Sequence, residues 1–83
     1  MKRFNEEVKM SHLIRIGDIK HASLKEASVY ASLFVDMGSD KDNIFIETEI
    51  MENLDELKRV YDEIIGAISK QGDYVNINYT LKI

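Results

Sequence analysis

The apolar residues change period once, at Gly72, and that switch constrains the fold more than any other feature of the chain. From Asn53 to Lys70, Leu54, Leu57, Tyr61, Ile64 and Ile68 recur at steps of three and four, and Val60 and Ile65 widen the stripe. That spacing predicts one long amphipathic helix. From Tyr74 to Ile83, the apolar residues Val75, Ile77, Tyr79, Leu81 and Ile83 alternate with Asn76, Asn78, Thr80 and Lys82, the period of a strand with one buried face. A chain holding both must lay the helix stripe on the apolar face of a sheet.

The helix carries its own boundary signals. Asn53 is placed to cap the first turn, with Glu56 three residues on as in a capping box, and Asp55 and Glu56 suit the positive end of the dipole. Gly72 is the expected left-handed residue that ends it. Asp55 with Arg59, Lys58 with Asp62 and Arg59 with Glu63 are spaced for weak ion pairs on the wet side.

Upstream, Ile44, Ile46, Thr48 and Ile50 alternate with Phe45, Glu47, Glu49 and Met51, which predicts a second half-buried strand. Leu13 to Ile19 reads as another strand, interrupted where Gly17-Asp18 throws Ile19 out of phase, as at a bulge or bend. The segment from Ser23 to Met37 supports two readings. As a strand, Val29, Ala31, Leu33, Val35 and Met37 face the core, Tyr30 and Phe34 face outward, and the loop GSDKDN leads to the next strand as a hairpin. As a helix, Ser23 and Glu26 form a capping box and Gly38 ends it. The β-branched and aromatic content between Val29 and Val35 favours the strand. The expected fold is therefore α+β: a mostly antiparallel sheet of about four strands in the order β-β-β-α-β, with the long helix on one face. The order β-α-β-α-β, with residues 23–37 helical, is the alternative. Residues 1–10 are expected to form an arm, and residues 11–83 one domain, the size that 83 residues permit.

Composition bounds function mainly by exclusion. No apolar run is long enough to span a membrane, and no cysteine is present for a disulfide or a thiolate metal site. The start MKRFNEEVKM has no apolar stretch behind its two basic residues, so the cytoplasm is the expected compartment. The net charge of −4 disfavours direct nucleic-acid binding, although Lys2, Arg3, Lys9, Arg15, Lys20 and Lys25 lie in the front third. Divided along the chain, the balance is +2 over residues 1–35, −7 over 36–63 and +1 over 64–83. The central block suits an acidic docking surface for a basic partner.

A search for catalytic groupings returns little. His12 and His21 do not have the spacing of a helical metal pair, no nucleophile elbow occurs, and the four glycines are too scattered to cradle a phosphate. Asp36, Asp40, Asp42 and Glu47 faintly resemble a calcium loop, but the glycine falls at the third position and Lys41 takes the turn position. A polar hairpin loop accounts for those residues. The expectation is thus a non-enzymatic interaction module without metal or cofactor. It associates with itself or with another protein through a sheet face or edge. Tyr30, Phe34 and Phe45 are the expected anchors, and Glu47, Glu49, Asp55 and Glu56 the steering charges. Two alternatives stand beside it. One is an acidic inhibitor that imitates a nucleic-acid backbone. The other is a small enzyme or ligand-binding subunit whose site is completed across an oligomer interface by His21 or Glu49.

Overall fold

The computed structural model describes residues 6–83. The chain is α+β; the described residues hold five strands and one long helix in the order β1 (Glu7–Arg15), β2 (His21–Glu26), β3 (Ala31–Asp36), β4 (Ile44–Thr48), α1 (Leu54–Ser69) and β5 (Tyr74–Lys82). Short 3-10 turns at Ile16–Asp18 and Met51–Asn53 precede β2 and α1. The strands form two antiparallel sheets: a ribbon of β1 on β5 and a meander in the order β2-β3-β4.

The helix packs against β5 on one side and against β2 and β3 on the other. Leu57, Val60 and Ile64 meet the inward residues Ala31, Leu33, Val35 and Ile46 of the meander and Ile14, Ile77 and Tyr79 of the ribbon in one core. Fully burying each larger aliphatic side chain is worth roughly 1.5–3 kcal/mol, so this cluster dominates the stability.

Several expectations hold in detail. Residues 31–37 and 44–48 alternate as read, the GSDKDN loop links β3 to β4, and the break at Gly17-Asp18 is the 3-10 turn that separates β1 from β2. The helical alternative for residues 23–37 fails, because that segment holds two strands. A tight hairpin joins them, with Ala27 N–H donating to the Tyr30 carbonyl at 2.8 Å. Val29 sits at its tip, 68% exposed, and does not face the core. Ile83 likewise lies beyond the end of β5 and is exposed. The first strand begins at Glu7, so residues 7–10 of the expected arm belong to the ribbon, while residues 1–5 lie outside the described residues.

The helix ends also differ from expectation. The Asn53 side chain makes no N-cap bond to the helix and is buried in other contacts. At the far end, Gln71 N–H donates to the Ile68 carbonyl and Gly72 N–H to the Ala67 carbonyl, the paired bonds of a Schellman cap. The left-handed residue there is Gln71, at φ 57°, one position before the glycine.

Candidate functional site

Side chains alternate across β2, β3 and β4, so whatever does not face α1 forms the outer face of the meander. The register places Ser23, Phe34 and Phe45 in one row and Lys25, Ser32 and Glu47 in the next. Phe34 and Phe45 meet edge to face, with centroids 6.4 Å apart. Phe45 is 59% exposed even so, because no element of the described residues packs over this face.

The polar row flanks the aromatic pair. The Lys25 ammonium lies over the Tyr30 ring, 5.6 Å from its centroid. Tyr30 raises the Lys25 pKa above its ordinary value, and Glu47 across the sheet adds to that in smaller measure. Ser32, between Lys25 and Glu47 in the register, is buried. Glu49 is exposed in the bend that follows β4. Among the described residues neither Glu47 nor Glu49 makes an ion pair. The face therefore combines aromatic surface with two carboxylates that, among the described residues, make no ion pair, Lys25 lying in the same row as Glu47.

Four of the expected site residues, Tyr30, Phe34, Phe45 and Glu47, come together on this face, and Glu49 borders it. Asp55 and Glu56 belong to the helix layer, on the opposite side of the meander. Glu56 is already engaged there. Its Oε2 accepts from Arg59 Nη2 at 2.9 Å and from Thr80 N–H at 3.0 Å, and Arg59 bridges onward to Glu63. The Arg59 guanidinium and the Thr80 amide hold the Glu56 carboxyl below the ordinary carboxylate range.

The central acidic block is spread over the molecule and partly neutralised. Asp36 Oδ1 accepts from Gly38 N–H in the β3–β4 loop, and Glu52 pairs with Lys82 beside the start of the helix. Strand β4 separates the two groups by about 17 Å at the usual rise per residue. His21 lies at the loop end of the meander and Glu49 at the other, so one chain does not bring the two together. Among the described residues no cluster of His, Cys, Asp or Glu could hold a metal ion. None of their helices is long and apolar enough to cross a membrane.

Two polar arrangements escaped the sequence reading. His12 Nε2 and the Tyr79 hydroxyl are hydrogen bonded at 3.0 Å, with the rings stacked 5.7 Å apart. Asn53 connects β4 to β5, donating to Thr48 Oγ1 at 2.9 Å and to the Lys82 carbonyl at 3.0 Å. The in-phase positions of His12 and Tyr79 were visible in sequence, but their pairing required the β1–β5 register. Comparison with family models, curated proteins and solved structures gives no match to this chain.

Proposed function

We propose that the protein is a non-enzymatic interaction module. It binds a basic surface of another protein through the outer face of the meander, acts by occluding or scaffolding that partner, and also self-associates. One observation carries this reading: the half-buried Phe34 and the exposed Phe45 form an aromatic pair beside Glu47 and Glu49, which among the described residues make no ion pair, on a face that no described element covers. Exposed aromatic residues supply contact area at low entropic cost, and the carboxylates add orientation and faster encounter. The reading takes the cytoplasm as its compartment.

Affinity capture with matched variants tests it. The wild type should retain one macromolecule in stoichiometric amount, and Phe45→Ser should lose it while remaining folded. The double change Glu47→Lys with Glu49→Lys should weaken the contact more at low than at high salt. Equal retention by all three proteins would refute the assignment of this face. Recovery of a small molecule instead would favour the ligand-binding alternative.

A further inference from the structure

The two outer edges of the β1–β5 ribbon are treated in opposite ways. The Ile16 N–H donates to the Asp73 carbonyl and the Ile83 N–H to the Glu6 carbonyl, in line with the ladder register. Antiparallel alternation then directs the even residues of β1 toward β5, and the even residues of β5 outward. From Asn78 to Lys82 that outward edge of β5 is closed by side chains. Asn53 takes both the N–H and the carbonyl of Lys82, Glu56 takes the N–H of Thr80, and Arg59 donates to the carbonyl of Asn78 at 2.6 Å. The outward edge of β1 presents the backbone groups of Glu7, Lys9, Ser11, Leu13 and Arg15. Among the described residues no strand or side chain closes it. Val8 and Met10, on the core-facing side of β1, are still 36% and 40% exposed.

We propose that a second copy of this chain closes that edge. Two β1 strands pair antiparallel about a two-fold axis at Ser11, and the two ribbons become one four-stranded sheet. The proposal names the surface for the self-association included in the functional reading above and rests on it to that extent. Charge complementarity selects the occupant and the register. With Ser11 opposite Ser11, the whole nine-residue strand overlaps, and Glu7 of each copy stands opposite Arg15 of the other. Val8 then faces Ile14 and Met10 faces His12, extending the apolar side of the ribbon. Moving the axis to Lys9 sets two lysines against each other, and moving it to His12 sets Lys9 against Arg15. Like charges directly opposite disfavour both. The open edge of β4 is less suited to self-pairing, because each copy would bring Glu47 and Glu49 to a short contact.

Light scattering over a dilution series, combined with a charge swap, tests the pairing. Wild type should be a dimer that dissociates on dilution. Arg15→Glu and Glu7→Arg should each raise the dimer dissociation constant roughly tenfold, and the double variant should restore it, which a folding defect would not do. Ser11→Pro removes an N–H of the open edge without touching the β1–β5 ladder and should yield a monomer. The chain has no cysteine, so Ser11→Cys should oxidise to a covalent dimer and Lys9→Cys should not, since only position 11 meets its own symmetry mate. A strict monomer at high concentration would overturn the proposal. So would a dimer indifferent to the swap and to Ser11→Pro, which would leave self-association standing through another surface. Loss of a captured protein by Ser11→Pro in a monomeric chain would assign the edge to a different partner and overturn self-pairing.

Discussion

Asn53 holds Lys82 as a neighbouring strand would: its Oδ1 accepts from the Lys82 N–H at 2.9 Å while its Nδ2 donates to the Lys82 carbonyl at 3.0 Å. The same amide group reaches Thr48 at 2.9 Å, so one buried side chain ties the end of β4 and the end of β5 to the start of α1. Asn53→Ala removes three bonds, one buried and two part-buried, and frees both backbone groups of Lys82 from the side chain that held them. The expected loss is about 2–3 kcal/mol, read from urea unfolding at constant m-value. A loss within a few tenths of a kcal/mol would mean that water replaces the amide.

Glu56 gives the stability a pH dependence of defined sign. Its carboxyl is held below the ordinary value of 4.5, chiefly by the hydrogen bonds from Arg59 and then by the Thr80 amide. The folded state thus binds fewer protons than the unfolded state in this range, so the contribution is complete above pH 4.5 and is lost as pH falls through the lowered value. Glu56→Gln keeps the shape and removes the charge. At pH 7 the wild type should exceed the variant by about 1 kcal/mol, because the pair is partly solvated. The gap should close progressively as the pH is taken below 4.5 in parallel denaturation series. A pH-independent gap would assign the effect to packing.

At the helix terminus, Gln71 adopts φ 57°, a conformation that a side chain disfavours and glycine accepts. Gln71→Gly should therefore raise the unfolding free energy by about 0.5–1 kcal/mol, with part of the gain offset by the freer unfolded chain. Thermal unfolding of the two proteins at one pH measures it. A lower midpoint for the variant would show that the Gln71 side chain contributes more than its backbone costs.

These residues also mark where the sequence was legible. The α1 stripe and the alternation of β4 and β5 were readable because one face of each element is buried, and a buried face leaves a period. Phe34, Phe45 and Glu47 were placed on one face by the same logic. The β2–β3 hairpin left no such trace. Among the described residues only Gln71 and Gly38 have positive φ, so Ser28 and Val29 turn the chain without the glycine or asparagine that signals a two-residue hairpin. Asn53 and Glu56 have the spacing of a capping box, but the free edge of β5 lies within reach and takes both side chains. Local spacing does not report a competing tertiary partner.

The contact between His12 and Tyr79 couples the two strands of the ribbon at its partly buried side. Burial pushes the Tyr79 phenol above its ordinary value of 10.0, so the hydroxyl keeps its proton at physiological pH. Tyr79→Phe preserves the packing and deletes the 3.0 Å bond to His12 Nε2, and it should cost about 1 kcal/mol. His12→Ala deletes the bond and the ring stacking together and should cost somewhat more. In a double-mutant cycle the combined loss should fall short of the sum by about 0.5–1.5 kcal/mol, the coupling energy of the pair. Strict additivity would show that the two rings are neighbours without mutual stabilisation, leaving the β1–β5 ladder and the Ile14 and Ile77 contacts to hold the ribbon.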